Sequence, residues 1–327
     1  MTDSTDNSNT GIRALEIERP IIEMEQKLAE LEQFSKEKDL DLSSEIDRLK
    51  SALNKKTKEI FDNLTPWQRV QVARHPDRPE ADDYARLIFS NFVQLHGDKC
   101  YRDDPSVLTG FGRIKDQKVL LIGQRKGKNL NERTRFNFGC PLPEGYRKAL
   151  DKMKLAEKFS IPVVTMINTP GAHPGIEAEE RGQFLAIAKN LIEMAGLRTI
   201  IIAVIIGEGG SGGALGIGLA DRIAMLENTY YSVISPEGCA AILWKDAARR
   251  SEAAKALKLT AKDLKQLQMI DEVIPEPLGG AHKNYEEMAE SIKEFILRTI
   301  NEFRPVPIDR IIQDRYEKYR KIGMFKE

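Results

Sequence analysis

Ile206-Gly-Glu-Gly-Gly-Ser-Gly-Gly-Ala-Leu215 places five glycines and one serine between an apolar run and a helix-forming segment. Three chemistries fit such a stretch. Gly207-x-Gly209-x-x-Gly212 matches a dinucleotide fingerprint, with Glu227 where a ribose-binding acid belongs. Gly209-x-Ser211-x-Gly213 matches a nucleophile elbow, and Asp271 and His282 follow in the order of a hydrolase triad. His282, however, lies in a Gly-Gly-Ala-His loop with no evident orienting partner. The third reading is physical. Paired glycines at a strand-to-helix turn leave backbone N–H groups bare, and the helix adds its positive end, giving an oxyanion hole for an enolate or related anion. A second such turn, Asn168-Thr-Pro-Gly171-Ala172-His173-Pro-Gly175, lies about 40 residues earlier. Ligands bind at the carboxyl edge of parallel sheets, so two such turns on successive strands point to an anion-binding edge.

The elements that must position these turns are legible. Pro162–Asn168 and Thr199–Ile206 are short, fully apolar, β-branched runs. They alternate with helical stretches at Glu144–Phe159, Glu177–Ala195 and Ser211–Ala220, and Arg222–Leu226 adds another strand. That alternation predicts parallel βαβ units between helical layers. Val107–Ile114 and Lys118–Gln124 predict a hairpin around Lys115-Asp116-Gln117, and the stretch from Ala81 to Leu95 predicts a helix. Upstream, Ile21, Met24, Leu28 and Leu31, then Ile46, Leu49, Leu53, Ile60 and Leu64, mark two amphipathic helices. Such a hairpin is too thin for its own core and must pack on the main domain or on another chain. Thr65-Pro66 reads as an N-cap with proline at the first helical position. Two further amphipathic helices, 284–301 and 309–321, close the chain.

Composition narrows the class. Lys+Arg 50 and Asp+Glu 50 cancel over 327 residues, so no bulk charge draws the chain to nucleic acid or an anionic membrane. Three scattered cysteines (Cys100, Cys140, Cys239) supply neither a disulfide framework nor a zinc ribbon, and no metal is expected on this chain. The longest apolar run, Ile200–Ile206, is far short of the roughly 18–20 residues of a membrane span. The start is polar and acidic, without the features of a signal or transit peptide. A cytoplasmic protein is expected.

Several strings are together specific. Gly139-Cys-Pro-Leu-Pro-Glu-Gly-Tyr-Arg147, the 168–175 turn, Ala178-Glu-Glu-Arg-Gly-Gln183, the 206–215 segment, Tyr231-Ser-Val-Ile-Ser-Pro-Glu-Gly-Cys-Ala240 and Ile274-Pro-Glu-Pro-Leu-Gly-Gly-Ala-His282 stand in order along the chain. With its helical arm, nearly the whole chain resembles the α subunits of bacterial acetyl-CoA carboxylase carboxyltransferase. The resemblance implies an α/β crotonase (ClpP/crotonase-like) ββα superhelix with an N-terminal helical hairpin and C-terminal helices. The implied layout is a disordered start (1–13), a helical arm (14–80) and a carboxyltransferase domain (81–327). Further implications are an α2β2 assembly with a zinc-bearing β subunit, and transfer of a carboxyl group from biotin on a carboxyl carrier protein to acetyl-CoA. The product would be malonyl-CoA for fatty-acid synthesis, with biotin carboxylase using ATP elsewhere in the complex.

Carried onto this chain, the resemblance assigns Gly212 and Gly213 as the oxyanion hole facing the biotin ureido oxygen, and Gly209, Gly210, Gly171, Ala172 and His173 as substrate-binding. The cofactor itself can serve as base, so orientation and backbone donors suffice. Two residues depart from the family's usual pattern, Asn168 for Asp and His173 for Tyr. Asn168 argues against an essential base there, and His173 reads foremost as filling a ring-shaped slot. The basic stretch Arg125-Lys126-Gly-Lys128, with Arg133 and Arg135, reads as a solvated loop that can also meet CoA phosphates or an acidic partner. Arg147, Glu179, Glu180 and Arg181 read as structural ion pairs. Lys152-Met153-Lys154 lacks the context of a biotinylated lysine, so biotin visits rather than attaches. A self-contained acyl-CoA hydratase or isomerase and a non-catalytic scaffold remain the alternatives.

Overall fold

The computed structural model describes residues 14–323, so the expected disordered start lies outside the described residues. The arm comes first, as α1 (Arg19–Lys38) and α2 (Ser43–Asp62). Ile21 and Phe61 seal its base against Leu64 and Val72. Next comes α3 (Pro66–Ala73), opened by the predicted cap: Gln68 N–H donates to Thr65 Oγ1, and the Gln68 side chain accepts from Thr65 N–H.

The expected helix over 81–95 is corrected. It stops as α4 (Ala81–Ile88), and Ser90–Gln94 forms a strand, β1. Asn91 turns left-handed at φ 50°, and the Phe-Ser-Asn-Phe-Val-Gln stretch pairs along β2 (Val107–Ile114). β-rich residues with an edge to join outweigh helical spacing there. β2 and β3 (Gln117–Gln124) form the predicted hairpin in full register. The short α5 (Leu130–Arg135) and then α6 (Pro143–Lys158) lead to β4 (Val163–Thr169).

The helix expected over 177–195 is two helices, α7 (Ile176–Glu180) and α8 (Gln183–Gly196), because Gly182 takes φ +80° between them. β5 runs Ile201–Gly210, longer than predicted. Its glycines are strand, since the bare backbone is flanked by Thr169 on one side and by β7 on the other. After it come α9 (Ser211–Leu215), shorter than predicted, then β6 (Arg222–Leu226) and β7 (Tyr230–Ser232). The chain finishes with α10 (Pro236–Trp244), α11 (Arg250–Leu257), α12 (Ala261–Gln266), β8 (Glu272–Ile274), α13 (Tyr285–Phe303) and α14 (Ile308–Arg320).

The strands form one sheet in the order β1-β2-β3-β4-β5-β6-β8, with β7 beside the end of β5. From β3 to β8 it is parallel. Both faces are covered, which explains the unbroken apolar runs. Ile202, Val204 and Ile206 face α4 and α13, whereas Ile201, Ala203 and Ile205 face α6 and α8. This layering brings the two glycine turns side by side at the carboxyl ends of β4 and β5.

Candidate active site

The turns meet backbone to backbone. A Cβ on Gly210 would overlap the Pro170 carbonyl, and one on Gly213 would overlap the Gly171–Ala172 peptide. Glycine at these positions is a packing requirement, and both are buried. Gly209 is likewise buried, under the Tyr231 ring. Ser211 then reverses the chain at φ 54° and starts α9. Gly212 differs from its neighbours, because a Cβ there meets only Ile187 Cδ1 at 3.8 Å. The first N–H groups of a helix have no partner inside it, and neither Gly212 nor Gly213 N–H finds one elsewhere among the described residues. Gly171 and Ala172 stand against Gly213 from the neighbouring turn, and His173 follows them. His173 does not fill a closed slot as expected: it is half-buried, 2.8 Å from Glu177 Oε1, with its N–H held by Pro141 O.

Beneath the turns lies a polar bed that the sequence reading missed. Glu208, inside the glycine run, is buried and accepts from Arg74 Nε at 2.9 Å, Tyr230 OH at 2.6 Å and Lys126 Nζ. Arg74 also grips Glu237 at 2.6 Å. Burial alone pushes the Glu208 carboxyl up. The Lys126 and Arg74 charges, with hydrogen bonds from Lys126 and Tyr230, outweigh it and hold the pKa at about 2. Its folded value thus lies below the ordinary 4.5, so its stabilisation is full above pH 4.5 and fades as pH falls toward 2. Glu208→Gln should therefore be less stable than wild type at pH 7 but lose less stability between pH 4.5 and 2. Urea midpoints at pH 7, 4 and 3 check this, and parallel losses in the two proteins would contradict it.

Other expectations resolve against this geometry. The basic loop is ion-paired where it begins. Arg125 is buried and bidentate to Asp82 at 2.8 and 2.6 Å, Lys126 pairs with Glu208, and Lys128 lies 2.6 Å from Asp83. Only Arg133 and Arg135 of that run are exposed. Arg147 and Arg181 are structural, converging on buried Glu144 at 3.0 and 2.7 Å. Glu179 and Glu180 are exposed. Asn168 Oδ1 accepts Glu208 N–H at 3.1 Å, placing a neutral amide beside a buried carboxylate.

Two glycine-segment alternatives fall. Gly207 lies within β5 and not at its turn, and Glu227 accepts from Glu276 N–H, so no dinucleotide cradle forms. The triad does not assemble either. Asp271 takes up Ile223 N–H and Lys318, and His282 has a partner after all, Glu18 Oε1 at 2.8 Å.

Glu18, His75 and His282 bring metal-type ligand atoms together, the one such group among the described residues. The geometry suits protons better than an ion. The rings stack at 3.9 Å and 11°, so their in-plane lone pairs run parallel and cannot converge. Asp77 N–H also donates to His75 Nδ1, which puts the ring proton on Nε2, facing Glu18. Burial lowers the His282 pKa.

The sheet with helices on both faces and glycine turns at its carboxyl edge is consistent with the expected crotonase-like fold, which carboxyltransferases share. Solved structures agree on the fold. A transcarboxylase 12S core aligns with TM-score 0.56 at 18% identity, covering 69% of this chain and 42% of that one. A Pseudomonas malonate decarboxylase hetero-tetramer aligns at 0.54 and 14%, covering 65% and 85%. The model of the family described as "acetyl co-enzyme A carboxylase carboxyltransferase-like" matches residues 14–323, and the chain belongs to that family. Among curated relatives, the acetyl-coenzyme A carboxylase carboxyl transferase subunit alpha of Anoxybacillus flavithermus is 52% identical over 313 residues, 96% of either chain. That of Fusobacterium nucleatum is 49% identical over 311 residues, 95% of this chain and 99% of its own.

Proposed function

We propose that this chain is the α-type subunit of an acetyl-CoA carboxyltransferase, contributing the anion-stabilising half of an active site that a β-type subunit completes. Working with biotin on a carrier protein, the assembly gives malonyl-CoA from acetyl-CoA. The observation that carries this is the pair of apposed glycine turns with the Gly212 and Gly213 N–H groups free beside an open cradle. The residues fit the cofactor's ureido oxygen: the space a Cβ would take at Gly212 is open, and among the described residues only Ile187, an apolar side chain, comes within 4 Å of it. Bound biotin supplies the carboxyl group and the base. Gly212 and Gly213 donate to developing negative charge, while Gly171, Ala172 and His173 bound the site on its other side. Glu208, the carboxylate near the end of β5, is buried and ion-paired, which suits a structural anion and not a general base.

The need for a second chain is supported by apolar side chains left on the surface. Ile176, Phe184 and Ile192 on α7 and α8, and Ile242 on α10, are 69–77% exposed. Large apolar side chains left exposed in this number suit a chain that meets a partner. A biotin carboxyl carrier protein and an ATP-using biotin carboxylase complete the pathway of the carboxyl group. No helix among the described residues is long and apolar enough to cross a membrane, and the cytoplasm is the proposed location. We also take residues 14–80 as an arm on a catalytic unit from 81 onward.

Malonyl-CoA decarboxylation with free biotin tests the split site. Activity should require both this chain and the β-type partner. Full activity from this chain alone would show a self-contained site.

A further inference from the structure

We infer that Gln124 is a positioning residue that clasps the two glycine turns together and thereby sets the aim of the Gly212 and Gly213 N–H groups. Gln124 ends β3 and is fully buried. Its one amide reaches both turns: Nε2 donates to Gly213 O at 2.9 Å, and Oε1 accepts from Asn168 N–H at 3.1 Å. The amide can be oriented only this way, since the carbonyl needs a donor and the N–H an acceptor. Tyr146 OH, buried on α6, donates to the same Gly213 carbonyl at 3.1 Å. Asn168 continues the chain of bonds to Glu208 N–H.

The arrangement ties the end of β3, the end of β4 and the start of α9 through one side chain. Because Gly210 and Gly213 leave no room for a Cβ against the 170–172 backbone, a shift of either turn displaces the other. Gly213 is thus held from its carbonyl side while its N–H stays free. Misplacing donors by even about 1 Å can cost on the order of 100-fold in rate. The functional meaning of the clasp rests on the oxyanion-hole proposal; the clasp itself does not.

The test uses the assembled complex with its β-type partner and three variants. Gln124→Leu removes both bonds. Gln124→Glu keeps the shape, but its carboxylate cannot donate to Gly213 O unless protonated. Thr165→Val, at a buried β4 hydroxyl without a hydrogen-bond partner, controls for a generic core change. Hydrogen exchange by mass spectrometry should show faster exchange in 168–175 and 207–217 together for Gln124→Leu, with α13 unchanged. Turnover in biotin-dependent malonyl-CoA decarboxylation should fall about 10- to 100-fold with KM little changed. Gln124→Glu should be less active than wild type at neutral pH and recover toward it as pH falls, because only its protonated form restores the donor. Thr165→Val should match wild type in both assays.

Wild-type exchange in either turn of Gln124→Leu, or wild-type activity of Gln124→Glu at neutral pH, would overturn the clasp. The two proposals separate cleanly. If Gly212→Val stays active while Gln124→Leu opens both turns, the oxyanion proposal fails and the clasp stands. If Gly212→Val is inactive while Gln124→Leu behaves as wild type, the clasp alone fails.

Discussion

Gly212→Val should lower turnover of the assembled carboxyltransferase by about 100- to 1000-fold, the usual cost of losing an oxyanion donor, with assembly intact. The structure makes this position the informative one. A Cβ at Gly212 meets only Ile187 at 3.8 Å, so the fold tolerates the side chain while branched methyls fill the space beside the N–H. Gly212→Ala, with one methyl and the N–H still open, should stay within roughly tenfold of wild type on the same reasoning. Gly213 cannot serve the same purpose. Its Cβ would overlap the Gly171–Ala172 backbone, so Gly213→Val should damage folding and rate together. Steady-state decarboxylation by complexes of verified subunit composition checks the ranking. A fully active Gly212→Val complex would remove the donor from the mechanism.

The largest stability effect should come from Arg315→Ala, at about 3–5 kcal/mol, the range for breaking a buried ion pair from one side. Arg315 is 2% exposed on α14 and bidentate to Asp221 at 2.7 and 2.9 Å. Its remaining N–H groups donate to the carbonyls of Met194, Leu197 and Thr199 at 2.7–2.9 Å. Removing it strands a buried carboxylate and three acceptors where α8 hands over to β5. Burial already pushes the Asp221 carboxyl up despite the guanidinium, so the variant should relieve itself by taking up a proton. Arg315→Lys keeps a charge but not the planar fork and should recover only part of the loss. Urea unfolding of the purified chain measures both. A change below about 1 kcal/mol, typical of a surface pair, would show that α14 is not pinned this way.

How much of this was legible in the sequence depended on whether the cause was local. Pro162–Asn168 and Thr199–Ile206 read as strands because a sheet covered on both faces needs unbroken apolar runs. Thr65-Pro66 read as a cap because its bonds close within three residues. The turns read as anion-binding because paired glycines at a helix start leave backbone N–H groups bare; that Gly210 and Gly213 also serve close packing was not visible. What was hidden depends on distant partners. Glu208 looks like a solvated acid in a loop, and only Arg74 and Lys126, 134 and 82 residues away, make it a buried anion. Lys126 in turn looked like part of a solvated basic run for want of its partner. Gln124 carries no local signal, since its two bonds span 89 and 44 residues. Ser90–Gln94 was misread because the edge it pairs with, β2, comes only later in the chain, while helical spacing runs into it from α4. His282 seemed unpartnered because Glu18 stands 264 residues upstream.

The most direct measurement is a crystal structure of the complex of this chain with its β-type partner, grown with biotin. The ureido oxygen should sit within hydrogen-bond distance of both the Gly212 and Gly213 N–H groups, with Gly171, Ala172 and His173 beside it. Biotin bound with that oxygen facing the β-type subunit, and the two N–H groups on water, would contradict the central claim.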